Sequence, residues 1–467
     1  MNSIYFNYNE FNKNESNISD VEISKLKNLL IKYNIDFNKI EKNQYILRNI
    51  SPNKAKEFDD LNIEGLYVYE NYKRFYPISN AGYNLIGRTN IDDVGIEGLE
   101  YSLNSKLKSI NGNRKIMKSL KGQVVDSEIT LNPLKGIDIK LTIDSDYQSN
   151  IYKLLEQQVK NSNAKGGAVV VLDAKTGEIL SMVSTPSINP NSASPKNYKK
   201  PIDPTYQSIF DPGSIMKPLV IAKAIDDKKV NENTTFNTQP YKVGNKLIVD
   251  DHPMDKMNVS QIIQYSSDIG TSKIALMYSP FGLYNYQSLG FGKKTGINLY
   301  GETSGILNKY NKWTQVDQAL MSYGYGISIT LLQIASSYTI FTNNGCYLKP
   351  KLFIESNNSY YCNPIITPKT SKTMRDILKA TVVDGTGKKA GSSDFSVAGK
   401  TGTAQKLING KYVNNAHVSS FVGFAPVENP KYIVAVMIDE PKNGYYAATT
   451  AAAPLFQKVI TFLMNNQ

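Results

Sequence analysis

The feature that most constrains the fold of this chain is a set of short apolar strands placed far apart in the sequence. Residues 166–184 are predicted as two strands joined by a turn at Asp173–Gly177, and residues 419–425 and 432–440 are predicted as two more. The stretch between them, about residues 214–340, is largely helical in its periodicity. Strands at both ends with helices between them predict one mixed sheet, closed by N- and C-terminal segments, with a helical subdomain beside it.

The length of 467 residues exceeds one ordinary domain and indicates two or three. Residues 1–20 are polar and rich in asparagine, so we expect a poorly ordered leader there. Residues 21–140 mix short helical and strand-like patterns, which predicts an irregular α+β accessory region. Residues 141–467 form the predicted main domain, which begins with an amphipathic helix capped by Asp144 or Ser145.

The net charge of +12 bears on the choice of binding partner. The chain is rich in Lys, Asn, Ile and Tyr, the residues that AT-biased genomes favour, and this usage accounts for the basic balance. The sequence has no arginine-rich stripe and no interleaving of aromatic and basic residues of the kind that lines a nucleic-acid groove. We therefore expect no nucleic-acid partner.

The few cysteines and histidines exclude several kinds of site. Cys346 and Cys362 are the only cysteines, and His252 and His417 are the only histidines. A structural zinc site or a histidine-based triad is therefore hard to build, and we expect neither a metal nor an organic cofactor. A disulfide between the two cysteines in an oxidising compartment and two free thiols both remain open.

A serine and a lysine three positions apart form the first candidate catalytic element. Pro212 and Gly213 interrupt the chain, so a helix can begin at Ser214 and place Lys217 on the same face. In that arrangement the Lys217 amine can take the proton of the Ser214 hydroxyl, and the positive end of a helix favours the alkoxide that develops. Taken alone, a capping serine and a surface lysine are the simpler interpretation.

Two further elements follow downstream. Ser266, Ser267 and Asp268 lie about fifty residues on and, taken alone, indicate a turn or a helix cap. The segment Gly399–Gln405 reads GKTGTAQ and is predicted as a strand whose glycines let another backbone approach its edge. Lys400 would place a cation beside that edge, although a simple Lys-Thr-Gly turn is the alternative.

The order of the three elements is more specific than any one of them. SxxK, then SxD, then KTGT follows the signature set of class A β-lactamases and penicillin-binding proteins. The chain resembles a class B penicillin-binding protein, and among these the division-type, or septal, transpeptidase. The resemblance runs from about Tyr72 to the C-terminus. Its segments include KRFYP, GIEGLE and LTID of the linker and pedestal, GGAVVVLDAKTGEILSMVSTPSINPN of the first sheet strands, LGFGKKTGINLYGETSG and SYGYGISITLLQIA of the helical part, and the septal-like FVGFAPVENPKYIVAVMIDEP.

This resemblance implies a fold and an activity. The implied fold is the α/β (α+β) penicillin-recognising transpeptidase fold, with a central antiparallel sheet, flanking helices, a helical subdomain and an N-terminal pedestal. The implied activity is peptidoglycan D,D-transpeptidation in septal cell-wall synthesis, at the outer face of the cytoplasmic membrane. The implied partners are stem peptides ending in D-Ala-D-Ala, β-lactam antibiotics and divisome membrane proteins.

The resemblance also implies a catalytic set. Ser214 attacks the carbonyl of the penultimate D-Ala, and Lys217 accepts its proton. Ser266 relays the proton to the leaving amine. Asp268 orients Lys217 or the substrate amide, and Lys400 supplies a positive field.

A second set would bind the substrate or a β-lactam. The backbone N–H groups of Ser214 and Thr403 are implied to form the oxyanion hole. Thr401 and Thr403 would hold the terminal carboxylate of the substrate, and the strand edge would pair with the extended peptide. Gly402 and Ser267 complete this set.

Three departures from the family pattern are visible. Asp268 stands where the family has an amide, and an ionised carboxylate can accept a hydrogen bond but not donate one. The usual Tyr-Gly-Gly near the C-terminus is Tyr446-Ala447-Ala448. No apolar run approaches the roughly 18–20 residues that span a bilayer, and the early Arg-Gly-x-Ile-x-Asp-Arg segment is missing. We expect either a truncated chain or a paralog with altered attachment.

Two alternative functions remain beside the transpeptidase. A hydrolytic relative, such as a D,D-carboxypeptidase or a serine β-lactamase, would use water in place of the acceptor amine, but the long accessory region argues against a compact β-lactamase. A non-catalytic β-lactam sensor or divisome scaffold would not need an intact site. The joint presence of Ser214, Lys217, Ser266 and Lys400 opposes that second alternative.

Overall fold

The computed structural model describes residues 1–118, 124–192, 202–283, 288–354, 362–408, 411–442, 444 and 447–466. The chain divides into two compact units, Met1–Phe75 and Tyr76–Gln467. This division differs from the boundaries predicted at residues 20 and 140, because those boundaries follow changes in composition rather than the separation of contacts.

A three-stranded antiparallel sheet is the frame of the first unit. Its strands are β1 (Asn2–Phe6), β2 (Gln44–Ile50) and β3 (Leu66–Glu70), and its helices are α1 (Tyr8–Asn14), α2 (Asp20–Lys32) and α3 (Pro52–Asp59), with 3-10 turns at Glu15–Asn17 and Phe37–Lys39. The strand order is β2-β1-β3, so β1 lies in the middle.

The prediction of a poorly ordered leader over residues 1–20 is wrong, because this stretch contains the central strand of a folded sheet. Ile4 and Phe6 alternate along β1 and are 0% and 1% exposed. They pack with Phe11, Leu30 and Phe58 in one hydrophobic cluster. A mean composition over twenty residues does not reveal a five-residue strand that buries alternate side chains.

The second unit contains one large sheet, several short two-stranded ribbons and most of the helices. Its strands are β4 (Asn113–Lys118), β5 (Val124–Leu131), β6 (Gly166–Asp173), β7 (Ile179–Thr185), β8 (Thr235–Asn237), β9 (Tyr241–Val243), β10 (Lys246–Ile248), β11 (Lys256–Asn258), β12 (Ile306–Leu307), β13 (Ile327–Ser328), β14 (Cys346–Tyr347), β15 (Asn363–Pro364), β16 (Ala398–Ile408), β17 (Lys411–Ala425) and β18 (Tyr432–Asp439).

The helices of the second unit surround this large sheet and build the helical subdomain. They are α4 (Ser79–Ile86), α5 (Gly98–Ser102), α6 (Asn104–Leu107), α7 (Ser145–Asn161), α8 (Lys217–Asp226), α9 (Val259–Gln264), α10 (Asp268–Ala275), α11 (Pro280–Leu283), α12 (Gln315–Ser322), α13 (Leu331–Ser337), α14 (Thr339–Thr342), α15 (Pro368–Asp384) and α16 (Ala452–Asn465), with 3-10 turns at Gly213–Met216, Tyr310–Lys312 and Lys388–Ala390.

The large sheet has five strands in the order β16-β17-β18-β6-β7. Strands from the N-terminal and C-terminal parts of the domain meet where β18 pairs with β6, which confirms the prediction that distant segments close one sheet. Every neighbouring pair is antiparallel, so the expectation of a mixed sheet is corrected. A strand that follows its neighbour through a short connection runs antiparallel to it, and three of the four pairs, β16-β17, β17-β18 and β6-β7, are such hairpins.

The central strand β6 is covered on both faces. Ala168, Val170 and Leu172 belong to a core that includes side chains of α8 and α13. Val169 and Val171 belong to a second core on the opposite face, with side chains of α7 and α16. The uninterrupted apolar run of this strand is typical of a strand buried on both sides.

Two smaller expectations are settled by the structure. Asp144 Oδ1 accepts hydrogen bonds from the backbone N–H groups of Asp146 and Tyr147 at 2.9 Å, which confirms it as the cap of α7. A disulfide joins Cys346 to Cys362. None of the helices in the described ranges is both long and apolar enough to cross a bilayer.

Candidate active site

Ser214 stands at the start of a continuous helical run. The 3-10 turn Gly213–Met216 leads directly into α8, so Lys217 is the first α-helical residue. Gly213 has a φ of +59°, and a Cβ on it would lie 3.2 Å from the carbonyl oxygen of Thr403. A glycine at this position therefore lets the turn that carries Ser214 approach the backbone of β16.

The side chain of Lys217 is fully buried and is held by a single turn of the chain. Its exposed fraction is 0%. Nζ lies 2.5 Å from the carbonyl oxygen of Ser266, 3.0 Å from Ser266 Oγ and 2.5 Å from Asp268 Oδ1. The first and second predicted elements therefore converge around one amino group.

Ser266 adopts a backbone conformation that is rare for a non-glycine residue. Its φ is +64°, in the left-handed region, which costs about 1–3 kcal/mol and is typical of functional sites. The next residue, Ser267, is the N-cap of α10, because its Oγ accepts a hydrogen bond from the Gly270 N–H at 2.8 Å. The strained turn is thus fixed at one end by a capped helix.

Lys400 brings the third element to the same place. It lies in β16, its side chain is fully buried, and its Nζ donates to Ser266 Oγ at 3.0 Å and to the Thr401 carbonyl oxygen at 3.1 Å. Burial lowers the pKa of Lys400 well below its usual value, and the charge of Lys217 lowers this pKa further. Burial therefore favours a neutral amine over the cation that the resemblance implies.

The carboxyl group of Asp268 forms the more open side of the cluster. Its side chain is 32% exposed, whereas its partner Lys217 is not exposed at all. Burial raises the pKa of Asp268, the charge and hydrogen bond of Lys217 act in the opposite direction, and the charges of Asp250 and Asp251 raise it further. The net effect of these surroundings is to raise the pKa of Asp268 above its ordinary value.

The outer strand of the sheet packs against the turn that carries Ser214. β16 lies at one end of the five-stranded order. A Cβ on Gly402 would lie 2.9 Å from the carbonyl oxygen of Pro212 and 3.0 Å from a side-chain carbon of Ile215. Glycine is needed here for close contact between strand and turn.

The two threonines of this strand differ in their surroundings. Thr401 is 6% exposed, and its Oγ1 donates to Thr386 Oγ1 at 3.0 Å. Thr403 is exposed, and its Oγ1 accepts a hydrogen bond from the Ala448 N–H at 3.0 Å while keeping its own proton to donate. Of the two side chains, that of Thr403 is therefore the one open to solvent. Tyr446, of the Tyr446-Ala447-Ala448 segment noted in the sequence, lies outside the described residues.

Sequence reasoning missed two carboxylates that support the site. Asp211 accepts hydrogen bonds from Ser328 Oγ and from the Tyr412 hydroxyl, both at 2.8 Å, and burial raises its pKa. Asp250 binds the first turn of α10. The position of Asp211, just before the Pro-Gly that precedes Ser214, offered a signal, whereas nothing in the sequence around Asp250 did.

The cluster offers amines, hydroxyls and a strand edge, but no metal-binding set. In the described part of the chain, no group of three or more His, Cys, Asp or Glu residues could hold a metal ion. Hydroxyls with neighbouring amines are suited to nucleophilic attack in which an amine accepts the proton.

Comparison with known proteins gives a consistent result. The family model described as the penicillin-binding protein transpeptidase domain matches residues 167–461. The chain is 37% identical over 456 residues to the probable peptidoglycan D,D-transpeptidase PenA of Neisseria gonorrhoeae, a match that covers 96% of this chain and 77% of that protein. It is 30% identical over 419 residues to the peptidoglycan D,D-transpeptidase FtsI of Escherichia coli (strain K12), covering 89% and 71%.

A solved structure is also similar. The apo transpeptidase domain of penicillin-binding protein 3 from Burkholderia pseudomallei superposes with a TM-score of 0.64 at 32% identity, covering 70% of this chain and 96% of that one. At this level of identity, both the fold and its sequence pattern are shared.

Proposed function

Because this chain belongs to the penicillin-binding transpeptidases, as a class B member of the division type, we propose that Ser214 is the nucleophile of its peptidoglycan D,D-transpeptidase activity. One observation carries the assignment. The Ser266 hydroxyl receives hydrogen bonds from both Lys217 and Lys400 at 3.0 Å, so three segments far apart in the sequence meet at one hydroxyl, and Ser214 lies three residues before Lys217 on the same helical run.

The first half of the reaction forms an acyl-enzyme. Ser214 Oγ bonds to the carbonyl carbon of the penultimate D-Ala of a stem peptide, and the peptide C–N bond to the terminal D-Ala breaks. Lys217, on the same helical run as Ser214, takes the hydroxyl proton. The departing amine receives a proton, and D-Ala leaves.

The Ser266 hydroxyl is suited to deliver that proton. Its two lone pairs accept hydrogen bonds from Lys217 and Lys400, which leaves its own proton to be donated. A proton given to the leaving amine is then replaced from Lys217, which holds the proton taken from Ser214. Lys400, whose pKa is lowered by burial, acts here as a neutral hydrogen-bonding partner that can accept a proton in turn.

The backbone supplies the oxyanion hole. The N–H groups of Ser214 and Thr403 are the proposed donors, and removal of one such donor typically costs about 3–4 kcal/mol of transition-state stabilisation. The close packing of Gly213 and Gly402 between the turn and β16 supports this pairing of donors. The edge of β16 would bind the extended peptide, with Thr403 and Thr401 near its terminal carboxylate.

The second half of the reaction releases the enzyme. The amine of a second stem peptide attacks the ester, a new peptide bond forms, and the Ser214–acyl bond breaks. The Ser214 oxygen regains a proton from the amine that attacked, through Lys217. β-Lactams acylate the same serine, and the product is expected to be long-lived because no amine resolves it.

The family setting suggests where this reaction takes place. We propose that the enzyme works at the outer face of the cytoplasmic membrane together with membrane proteins of the division machinery. The relatives named peptidoglycan D,D-transpeptidases support this setting by analogy only.

Intact-mass measurement tests the nucleophile. After incubation with benzylpenicillin, the wild-type chain should gain one adduct, and Ser214→Ala should gain none. Ser393→Ala, which alters an exposed serine outside the cluster, is the matched control and should gain the adduct as the wild type does. An adduct on Ser214→Ala would contradict the assignment.

Nitrocefin separates the transpeptidase from a hydrolytic relative. A transpeptidase should show a burst of about one equivalent per enzyme followed by very slow turnover, as expected when an acyl-enzyme accumulates. Sustained turnover would indicate a β-lactamase-like activity, and no burst at all would indicate a non-catalytic protein.

A further inference from the structure

Asp250 lies outside the motifs of the site, yet both of its carboxylate oxygens bind the turn that carries Asp268. Oδ2 accepts a hydrogen bond from Ser267 Oγ at 2.5 Å, and Oδ1 accepts one from the Ile269 N–H at 2.9 Å. Ser267 Oγ accepts in turn from the Gly270 N–H at 2.8 Å. Asp250 and Ser267 therefore cap α10 together, at the end of the helix that favours negative charge.

Asp250 also brings negative charge to a crowded cluster. The charged and titratable groups around Asp268 are Lys217 of α8, Lys400 of β16, Tyr323 and Tyr325 after α12, and Asp250 and Asp251 after β10. Burial disfavours the charged form of Lys400, so Lys217 is the main positive charge in contact with the carboxyl group. The pKa of Asp268 is raised by burial first and by the charges of Asp250 and Asp251 in addition.

A carboxyl group and an amine 2.5 Å apart that hold one proton between them can exist in two forms. In the ion pair, the proton is on Lys217 and Asp268 can only accept hydrogen bonds. In the neutral pair, the proton is on Asp268, which can then donate a hydrogen bond as an amide would. In that second form, Lys217 has the lone pair that is needed to deprotonate Ser214.

We infer that Asp250 is a positioning residue of the transpeptidase site: it holds the Ser266–Asp268 turn, and its charge favours the form in which Asp268 keeps the shared proton. The acid then donates to the substrate, and Lys217 serves as the base. This inference rests on the proposed function. It gives the chain a donor at the position where the family has an amide.

The test compares two substitutions that remove the same charge. Asp250→Asn keeps an oxygen that can accept from the Ile269 N–H but loses the negative charge. Asp251→Asn is the matched control, because it removes the same charge from the neighbouring exposed carboxylate. The measurement is the rate of acylation of the full chain by a fluorescent penicillin across the pH range.

The expected result for Asp250→Asn is a displaced pH profile. Loss of the nearby negative charge lowers the affinity of Asp268 for the shared proton, so both limbs of the profile should move to lower pH. The maximal rate should fall roughly threefold to tenfold, because one pKa unit at Asp268 corresponds to a tenfold change in proton affinity. Asp251→Asn should show a clearly smaller displacement.

A residue that merely caps a helix would behave differently. It would lower the melting temperature of Asp250→Asn and leave the pH profile in place. An Asp250→Asn profile that superimposes on that of the wild type, or a displacement no larger than that of Asp251→Asn, would overturn the inference.

A second measurement does not require any Asp250 variant to fold. The infrared difference spectrum between the wild type and Asp268→Asn at neutral pH should contain the carbonyl band of a protonated carboxylic acid. Absence of this band would overturn the inference even if Ser214 forms the penicillin adduct. Absence of the adduct from the wild type would instead overturn the proposed function itself.

Discussion

At the scale of single residues, the site depends on placing two buried lysines side by side. Lys217 and Lys400 both donate to Ser266 Oγ, and both side chains are fully buried. Two buried ammonium groups that each lie 3.0 Å from the same hydroxyl oxygen would repel each other, and Asp268, the carboxyl group in contact with Lys217, could balance at most one of the two charges. Burial lowers the pKa of Lys400 well below its usual value, so loss of a proton from this amine relieves the repulsion.

This titration predicts how stability depends on pH. A lysine whose pKa is lower in the folded protein than in the unfolded chain binds protons less readily when folded. Between the two pKa values the unfolded chain holds more protons, so the free energy of unfolding rises with pH. For Lys400 the rise should continue to about 10.5, the ordinary lysine value, and amount to at most about 1.4 kcal/mol per pH unit.

Urea unfolding at several pH values, from neutral to alkaline, checks this expectation. Lys400→Met should lack the contribution, so its free energy of unfolding should rise less steeply with pH than that of the wild type. Lys388→Met, which removes an exposed lysine, is the control and should retain the wild-type slope. Parallel curves for the wild type and Lys400→Met would show that Lys400 is protonated in the folded protein.

The sequence was informative about which residues meet and much less so about their charge states. The order of the SxxK, SxD and KTGT elements predicts a cluster, and the structure brings together Lys217, Ser266 and Lys400, with Ser214 three residues before Lys217 on the same helical run. The lowered pKa of Lys400 could not be predicted, because burial depends on packing from the whole domain rather than on neighbouring residues. The role proposed for Asp250 was not predicted either, because its contacts with Ser267 and Ile269 depend on how the chain folds.

At the scale of secondary-structure elements, β16 has to satisfy two partners at once. Its inner edge pairs with β17 from Ala398 to Ile408, and it also packs against the turn that carries Ser214. Both contacts fall on Gly402, which faces Ser420 on one side and Pro212 on the other. The glycine is therefore explained by packing, in addition to any contact with substrate.

A side chain at this position should separate the strand from the turn. A Cβ on Gly402 would lie 2.7 Å from Ser420 Oγ and 2.9 Å from the Pro212 carbonyl oxygen, both too close. Gly402→Val should therefore lower stability by about 1–3 kcal/mol, as overpacking does. It should also slow acylation at least about tenfold, because loss of one oxyanion donor alone exceeds that factor.

Two measurements separate these effects. Urea unfolding gives the change in stability, and fluorescent-penicillin kinetics on the folded fraction give the change in acylation. Leu407→Ala, at the exposed far end of the same strand, should leave acylation unchanged. If Gly402→Val lost stability but acylated at the wild-type rate, the strand and the turn would not need this close contact.

Elements with strong apolar patterns were predicted well, and polar ones were not. The strands β6 and β7 and the helix α7 fall where the sequence places them, since each has a continuous or periodic apolar pattern and a clear turn or cap. β1 was missed, because Ile4 and Phe6 are too few to change the composition of a polar stretch. The antiparallel sheet was implied by the family resemblance and agrees with its hairpins. The direction in which the distant strands β18 and β6 pair leaves no local pattern in the sequence.

At the scale of the whole molecule, the two compact units have separate hydrophobic cores. The core of the first unit is built from residues between Ile4 and Val68 alone. The two large cores of the second unit contain only residues from Ala81 onward, including side chains of the sheet that carries Lys400. Units that each bury their own core can in principle fold alone.

A chain of residues 76–467 should therefore fold and acylate without the first unit. Every side chain of the proposed catalytic set, from Ser214 to Lys400, lies within it, as do their hydrogen-bond partners. We expect its acylation rate to stay within roughly a factor of two of the full chain, since a separate domain can be removed without disturbing the other's core. Intact mass after benzylpenicillin treatment and fluorescent-penicillin kinetics measure this, with Ser214→Ala in the shortened chain as the blank. A folded chain of residues 76–467 that acylates more than tenfold slower would mean that the first unit contributes to the acylation rate, even though each unit buries its own core.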